Sequence, residues 1–188
     1  MKKIYFSDQQ VRGIVLDILR QMNQDSWRPD YVVGLTRGGL VPANMISQYL
    51  GVPMETLKVS LRDENSEPES NLWMAEDAFG YLPEELRGAS GTVTDPALRR
   101  KILIIDDIND SGATFNWIHQ DWPSGCMPNE THVWRAIWNQ SVRFAVLVDN
   151  VGSKAEVKMN YSAHTINKFE DPSWVVFPWE QWWNPENI

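Results

Sequence analysis

Three aspartates follow a run of apolar residues in KILIIDDINDSG, residues 101–112. The apolar run predicts a buried strand, and the glycine after the aspartates predicts a turn into a helix. Asp106 and Asp107 carry the oxygen atoms that sugar hydroxyl groups or a Mg²⁺ ion bind. Asp110, further into the turn, is suited to act as a general base or to stabilise developing positive charge. For any single aspartate, the alternative is a helix N-cap.

The residues after the strand have the composition of a phosphate-binding loop. Residues 110–114 place Ser111, Gly112, Ala113 and Thr114 at the start of a helix. The glycine lets backbone N–H groups close around an anion, the helix N-terminus adds partial positive charge, and the two hydroxyl groups can donate hydrogen bonds. We therefore expect a phosphomonoester to bind here, and we expect a side chain at position 112 to occupy the place of the phosphate.

Strands alternate with helices along most of the chain. Apolar periodicity predicts helices over residues 7–22, 39–51 and 112–120, and apolar or β-branched runs predict strands over residues 30–36, 54–61, 101–106, 132–138 and 143–149. Ser7 and Gln10 fit a capping box at the start of the first helix, and residues 122–131 are predicted as a loop. This order of elements predicts an α/β fold with a mostly parallel sheet that is flanked by helices on both faces.

The length of the chain, 188 residues, predicts a single domain over residues 1–188. Residues 63–98 differ from the rest, because they are rich in acidic residues, proline and glycine and show only fragments of periodicity. They are predicted to be an inserted segment. The segment is either a solvated part of the surface or a flexible lid over a site.

Charge and cysteine content exclude several classes of protein. The formal net charge is −8, and an acidic chain repels polyanions, so nucleic acid is not an expected partner. A single cysteine excludes an internal disulfide. The first residues, MKKIYFSDQQ, lack the apolar segment of a signal peptide, and no apolar run approaches the ~20 residues of a membrane span. The sequence therefore predicts a cytoplasmic protein without a membrane partner.

The histidines and the cysteine form no metal-binding or nucleophile pattern. The histidines are His119, His132 and His164. They lack metal-ligand spacing, and Cys126 has no evident base beside it, so we interpret all four residues as structural. The tail carries Trp179, Trp182 and Trp183, which predict either core packing or a contact between subunits of a homodimer.

The strand with its phosphate loop resembles a known motif. ILIIDDINDSGAT, residues 102–114, resembles the phosphoribosyl pyrophosphate (PRPP) motif of type I phosphoribosyltransferases: a hydrophobic strand, two acidic residues, two spacers and Asp-Thr/Ser-Gly-Gly/Ala-Thr. VVGLTRGGLVPA, residues 32–43, is similar to the family's pyrophosphate loop, with Arg37, Gly38 and Gly39 after a strand. Arg37 would pair with phosphate oxygens. The segment is not a Walker loop, because the Gly-Lys-Ser/Thr ending is missing.

A third segment resembles the purine branch of this family, especially the xanthine-guanine and hypoxanthine enzymes. It is SWVVFPWE, residues 173–180. The resemblance implies that Trp174 stacks on the base, that Val175 offers backbone groups to the base, and that Glu180 binds a second Mg²⁺. The implied fold has about five strands with helices on both sides, a flexible loop that closes over PRPP, and a small hood within residues 150–188.

Two departures from the family pattern concern the flexible loop and the base pocket. In place of the family's Ser-Tyr pair the chain has Ser60 and Leu61, and Lys58 or Arg62 is left to bind pyrophosphate. In the purine enzymes, a lysine that follows the strand before the base pocket donates to the 6-oxo group. The corresponding residues here are 144–154, FAVLVDNVGSK.

In this stretch, Asp149 or Asn150 stands where the family has its lysine, and Lys154 comes a few residues later. If Asp149 faces the pocket, its carboxylate would accept a hydrogen bond from an amino-bearing base such as adenine. The alternative is that Asp149 faces solvent and that Lys154 or a backbone amide contacts the base.

The resemblance implies an enzyme that uses Mg²⁺ to transfer phosphoribose from PRPP to a nitrogenous base, namely a purine, and releases pyrophosphate. Its expected partners are PRPP and a nucleobase or nucleoside monophosphate. One alternative is a non-catalytic regulatory protein of the same fold that binds PRPP or a nucleotide. A further alternative is a nucleotide-binding interaction domain that uses the tryptophan-rich tail.

Overall fold

The computed structural model describes residues 1–59, 61, 67–86, 94–126 and 131–183. Within these ranges, the side chains of residues 84, 131 and 181–183 are not described. Along the described residues the strands and helices are, in chain order, β1 (Lys2–Tyr5), α1 (Asp8–Gln24), β2 (Tyr31–Leu35), α2 (Leu40–Leu50), β3 (Met54–Leu57), α3 (Leu72–Phe79), β4 (Ile102–Asn109), α4 (Ala113–Gly125), α5 (Thr131–Ile137), β5 (Val142–Asn150), β6 (Met159–Ile166) and β7 (Ser173–Val176).

The main sheet has five strands in the order β3-β2-β4-β5-β6. Every neighbouring pair in it is parallel, which confirms the predicted mostly parallel sheet. β4 occupies the centre, so the carboxyl ends of β2 and β5 lie beside the acidic end of β4. In open parallel sheets, ligands bind beyond the carboxyl ends of the strands.

Helices cover both faces of this sheet. Leu103 and Ile105 share one core cluster with α1 and α2, whereas Ile102 and Ile104 share the other with α3, α4 and α5. Successive side chains of a strand point to opposite faces, so a central strand buried on both faces is apolar at every position. Within the described residues, no helix combines the length and apolar character that crossing a membrane requires.

The first two helices form as their sequences predict. The Ser7 amide donates to Gln10 Oε1 at 2.8 Å, and the Gln10 amide donates to Ser7 Oγ at 3.3 Å, which completes the capping box of α1. α2 ends at Gly51, whose φ of 65° lies in the left-handed region. The buried residues of α1 follow the predicted apolar period and are Val11, Ile14, Val15, Ile18, Leu19 and Met22.

The prediction of a strand over residues 132–138 is wrong, because α5 extends to Ile137 and Trp138 makes only an isolated bridge to Val142. Trp134, Ile137 and Trp138 are all buried, and a spacing of three and four places them on one side of a helix. The rings of Trp134 and Trp138 lie 5.1 Å apart. Bulky aromatic and β-branched residues favour strands locally, but packing of these rings in the core stabilises the helix.

The predicted loop over residues 122–131 is also shorter than expected. α4 continues to Gly125 with Pro123 inside its last turns, and Trp122 is fully buried there. Burial of this large ring against the core outweighs the local turn signal of the proline. Residues 127–130 of the predicted loop lie outside the described residues.

α3 lies within residues 63–98, the predicted insertion. Part of this segment is core and not solvated surface, because α3 contributes buried side chains to the cluster that α4 and α5 share. The flexible lid stays a prediction, since residues 62–66 and 87–93 lie outside the described residues. The buried residues of α3 are Met74, Ala75, Ala78 and Phe79.

A second sheet consists of two strands, β1 and β7, and because β7 lies in the predicted hood we call this sheet the hood. β1 pairs in parallel with β7, with Lys3 opposite Trp174 and Ile4 opposite Val175. The predicted hood region, residues 150–188, contains strands of both sheets. β6 is the edge strand of the main sheet, whereas β7 belongs to the two-stranded sheet. The partner strand comes from the start of the chain. Local sequence patterns do not predict the pairing of β1 with β7, because the two strands are far apart along the chain.

Candidate active site

A pocket lies between the acidic end of β4 and the hood. Its volume is about 160 Å³. It is lined by Asp107, Ile108, Asp110, Lys168, Trp174, Val175, Phe177 and Glu180. Five of these residues, Asp107, Asp110, Trp174, Val175 and Glu180, are ones that the sequence singles out from two distant segments. The fold therefore brings the PRPP-motif residues and the predicted base-binding residues into one place.

The start of α4 is the place where the sequence predicts a phosphate site. Gly112 is the N-cap of α4, and no side-chain hydrogen bond caps the helix there. The Ala113 amide donates to Ser111 Oγ at 3.3 Å. A helix without a capping side chain leaves first-turn N–H groups available for a ligand, and its dipole favours negative charge.

The role of Gly112 differs from the one expected. Its φ is 86°, and an added Cβ would lie 2.3 Å from the amide nitrogen of Ala155 and 2.6 Å from the Ala155 Cα. The expectation that a side chain at position 112 would occupy the place of the phosphate is therefore wrong. The absence of a side chain at Gly112 makes room for the backbone of Lys154 and Ala155, which packs against the loop over residues 110–114.

That supporting segment holds the phosphate loop through backbone and amide groups. The Lys154 amide donates to the Ser111 carbonyl at 3.1 Å, and Asn116 Nδ2 donates to the Lys154 carbonyl at 2.9 Å. Asn116 Oδ1 accepts from the Glu156 amide at 2.7 Å. Lys154 is exposed and is not among the residues that line the pocket, so its backbone supports the loop.

We predict that Gly112→Ala destabilises the protein more than Gly51→Ala does. Both glycines have positive φ, for which an alanine costs about 1–2 kcal/mol, but an added Cβ at Gly51 meets nothing within 4 Å. Only Gly112→Ala also forces the segment at Ala155 away. Denaturant unfolding of the two variants measures the difference, and calorimetry with a nucleoside monophosphate should show weakened binding for Gly112→Ala alone. Equal losses of stability in the two variants would contradict this account.

The predicted pyrophosphate loop contacts β4. A Cβ added at Gly38 would lie 1.9 Å from Oδ2 of Asp107, and one added at Gly39 would lie 2.3 Å from the Ile105 carbonyl oxygen. Only glycine permits this close approach of the loop to the strand and its carboxylate. Arg37 is exposed, and the Thr36–Arg37 peptide bond is cis.

The carboxylates at the end of β4 have raised pKa values. Burial, followed by the negative charge of Glu180, raises the pKa of Asp107 from 3.8 to about 6. Burial, followed by the charge of Asp107, raises the pKa of Asp106 well above its ordinary value. Asp106 Oδ1 accepts from the Asp107 amide at 2.9 Å, and Glu180 Oε2 accepts from the Phe177 amide at 2.8 Å. A positive charge placed near these carboxylates would lower their pKa values again.

We predict that Asp107→Asn stabilises the protein without ligands at pH 8 and changes its stability little at pH 4. The folded protein holds a proton on Asp107 up to pH about 6, whereas the unfolded chain releases that proton near its ordinary pKa. The free energy of unfolding therefore falls as pH rises through this window. The full effect is on the order of 2–3 kcal/mol.

Denaturant unfolding at the two pH values measures this difference, with Asp17→Asn as the control. Asp17 is an exposed carboxylate of α1 that pairs with Arg20, so its replacement should give no comparable pH dependence. A stability difference between Asp107→Asn and the parent that is the same at pH 4 and pH 8 would show that Asp107 does not titrate as described.

Lys168 is a pocket residue that the sequence patterns do not predict. It follows β6, and its Nζ lies 2.8 Å from Oδ1 of Asp110 and 5.8 Å from the ring centroid of Trp174. A cation over an indole face is attracted to the ring. The sequence contains only a weak indication that Lys168 lies in the pocket. Lys168 lies in the loop that leads into β7, whereas the family pattern points to a lysine after β5.

Asp149, the predicted base contact, pairs with a neighbouring strand. Asn109 Nδ2 donates to Asp149 Oδ1 at 2.8 Å, and the two residues are opposite each other in the β4–β5 register. Asp149 is not among the residues that line the pocket. Its carboxylate thus has a donor within the protein.

The other residues that the sequence singles out either do not line the pocket or lie outside the described residues. Cys126 is buried, and burial raises the pKa of its thiol to about 11, which fits a structural role. The ring of His164 packs edge-on against Phe6 at 5.2 Å. Trp179 stacks on Phe177 at 4.9 Å. Ser60, Arg62 and the side chains of Trp182 and Trp183 lie outside the described residues.

The fold and the pocket together define an α/β protein with a pocket beyond the carboxyl end of a central parallel strand, lined by acidic and aromatic side chains. The chain belongs to the phosphoribosyl transferase domain family, which it matches over residues 3–184. The predicted family is confirmed.

Individual relatives are distant but extend over most of the chain. The protein is 18% identical to xanthine phosphoribosyltransferase 1 of Saccharomyces cerevisiae over an alignment of 189 positions, which covers 95% of this chain and 90% of that protein. It is 26% identical to xanthine-guanine phosphoribosyltransferase of Cereibacter sphaeroides over 156 residues, 82% of this chain and 70% of that one. A purine phosphoribosyltransferase structure from Pyrococcus horikoshii has the same fold, with TM-score 0.60, 20% identity and coverage of 96% and 95% of the two chains.

These comparisons confirm the prediction of a phosphoribosyltransferase enzyme. They give no support to the alternative of a non-catalytic regulatory protein.

Proposed function

We propose that the protein transfers the phosphoribosyl group of PRPP to a 6-oxopurine in the pocket between β4 and the hood. The observation that carries the proposal is that one pocket combines Asp110 of the PRPP motif with Trp174 and Lys168. A 6-oxopurine has an aromatic face for Trp174 and a carbonyl oxygen that accepts a hydrogen bond from an ammonium group. The names of the xanthine and xanthine-guanine relatives support this choice of base.

The donor substrate is assigned to the loops on either side of β4. Residues 110–114 would bind the 5′-phosphate through the N-terminus of α4 and the hydroxyl groups of Ser111 and Thr114. Arg37 with the amides of Gly38 and Gly39 would bind the pyrophosphate group. Because Gly38 contacts Asp107, the two loops are close enough to act on one ligand. Ala113 contributes backbone only.

The residues present fit a Mg²⁺ ion that arrives with its phosphate ligands. The described residues contain no group of three or more His, Cys, Asp or Glu side chains that could hold a metal ion. Mg²⁺ usually binds one or two carboxylates together with substrate phosphates and water. Asp106 and Asp107 would supply those carboxylates to an ion that neutralises charge on the leaving pyrophosphate. Glu180 would bind a second Mg²⁺ together with substrate oxygens and water.

In the reaction, the bond between the ribose anomeric carbon and the pyrophosphate oxygen breaks, and a bond from that carbon to a purine nitrogen forms. Asp106 and Asp107 would hold the ribose hydroxyl groups while positive charge develops on the sugar. Asp110 would accept the proton that the purine nitrogen loses. Trp174 would fix the plane of the base and exclude water from one of its faces.

Recognition of the base is assigned to Lys168 and to the backbone of Val175. A protonated lysine donates hydrogen bonds and accepts none, so it favours a carbonyl over an amino group at the purine 6-position. The adenine preference that a pocket-facing Asp149 would give is not part of the proposal, because that carboxylate accepts from Asn109.

A turnover assay tests the proposal. The protein is incubated with PRPP, Mg²⁺ and one base at a time from xanthine, guanine, hypoxanthine and adenine, and the nucleoside monophosphate is separated and quantified. We expect product with at least one 6-oxopurine and a lower kcat/KM for adenine. Binding of PRPP without product from any base would contradict the proposal and favour the regulatory alternative.

The proposed function also suggests where in the cell the protein acts. A purine phosphoribosyltransferase would act in the cytoplasm on small molecules, in purine salvage, without nucleic acid or a membrane. A homodimer is the proposed assembly. Sedimentation of the purified protein tests this assembly.

A further inference from the structure

A buried asparagine joins the two loops that form the pocket. Asn150, at the end of β5, is 6% exposed. Its Nδ2 donates to the carbonyl oxygen of Asp110 at 2.9 Å. Its Oδ1 accepts from the amide of Lys168 at 3.1 Å and from the amide of Gly152 at 3.2 Å. The same amide group therefore fixes the backbone of both partners of the Asp110–Lys168 ion pair.

Only an amide side chain can make this set of contacts. Asparagine offers an N–H donor and a carbonyl acceptor on one planar group, whereas a carboxylate cannot donate and a lysine cannot accept. The family pattern has its lysine at position 149 or 150. A lysine at position 150 could not accept a hydrogen bond from the Lys168 amide. The asparagine at this position therefore fits a pocket whose lysine comes from the β6–β7 loop.

We infer that Asn150 is a positioning residue that holds Lys168 against Asp110 and so sets the geometry in which the base is bound and deprotonated. The inference rests on the proposed function for its kinetic consequence. The Lys168 Nζ to Asp110 Oδ1 distance of 2.8 Å depends on where the two backbones stand, and Asn150 hydrogen-bonds to both. A lysine so placed can move from Asp110 to a purine carbonyl, which leaves the Asp110 carboxylate next to the base nitrogen.

The first test is Asn150→Asp, which keeps the shape and the acceptor but removes the donor to Asp110. The Asp110 loop should shift, and kcat/KM for a 6-oxopurine should fall about ten- to hundredfold, since a buried polar group loses its partner. Asn160→Asp is the matched control. Asn160 accepts from the Phe144 amide at 2.9 Å and donates to Asn139 at 3.1 Å, but it does not line the pocket. Its variant should lose stability and keep the parent's kcat/KM.

A double-mutant cycle separates positioning from general support of the fold. If Asn150 acts through Lys168, Asn150→Asp should cost much less in a Lys168→Met background than in the parent. Additive losses in the two backgrounds would overturn the inference, and so would parent-like kcat/KM in Asn150→Asp. If Asn150→Asp does not fold, Asn150→Ala, which removes both the donor and the acceptor without adding a charge, takes its place in the cycle.

A crystal structure of the variant decides the geometry without any need for turnover. We expect the Lys168–Asp110 contact to be lost in Asn150→Asp and kept in Asn160→Asp. A contact unchanged from 2.8 Å in Asn150→Asp would overturn the inference. If the parent turns over no base, the proposed function fails, while this distance still shows whether Asn150 positions the pair.

Discussion

Asp110→Asn is expected to lower kcat by about 10²–10⁴-fold, the usual contribution of a general acid or base. The amide keeps the shape of the side chain but cannot take the proton that the purine nitrogen loses. It also removes the charge that attracts Lys168 Nζ, 2.8 Å from the carboxylate in the parent. PRPP should bind nearly as in the parent, because the proposed phosphate contacts are made by backbone and hydroxyl groups of the same loop and not by the Asp110 carboxylate.

Steady-state kinetics with saturating PRPP and calorimetry of PRPP binding measure the two parts of this prediction. Asp171→Asn is the matched control, because Asp171 also forms an ion pair with a lysine, Lys2, but does not line the pocket. That variant should keep the parent's kcat. Normal turnover by Asp110→Asn would show that Asp110 is not the base.

Lys168→Met is expected to reduce the preference for 6-oxopurines over adenine by about ten- to hundredfold, because the proposed hydrogen bond from a charged donor to the base is lost. Methionine keeps much of the length and the apolar stem of lysine. The loss should fall on kcat/KM for guanine or hypoxanthine and should affect adenine less, since an amino group at the 6-position does not accept a hydrogen bond from Lys168.

The measurement is the ratio of kcat/KM for hypoxanthine to that for adenine, in the parent and in Lys168→Met. Lys154→Met is the control, because Lys154 is exposed and supports the phosphate loop through its backbone. An unchanged ratio in Lys168→Met, together with an altered ratio in Lys154→Met, would transfer base recognition to Lys154.

The elements that the sequence predicts well are those in which local pattern and tertiary environment agree. β2 and β4 are buried on both faces, so continuous apolar runs identify them. The PRPP motif is contiguous, because phosphate binding needs a strand, a glycine and a helix start in succession. These features place Asp106, Asp107 and the loop over residues 110–114 at the correct end of the sheet.

The features that the sequence misses depend on contacts between distant segments. β1 forms only because β7 lies beside it, and the aromatic side chains of α5 favour a helix only through their core contacts. Gly112 illustrates the same limit, since its neighbour Ala155 is remote in sequence. Lys168 enters the pocket from the β6–β7 loop, so no local spacing connects it to Asp110.

A crystal structure of the protein with guanosine monophosphate tests the central claim most directly, namely that one pocket between β4 and the hood binds the whole nucleotide. We predict the 5′-phosphate at the first-turn amides of α4, the guanine ring against Trp174, and the 6-oxo atom about 3 Å from Lys168 Nζ. A base bound away from Trp174, or a Lys168 that stays on Asp110 without contacting the base, would contradict the account.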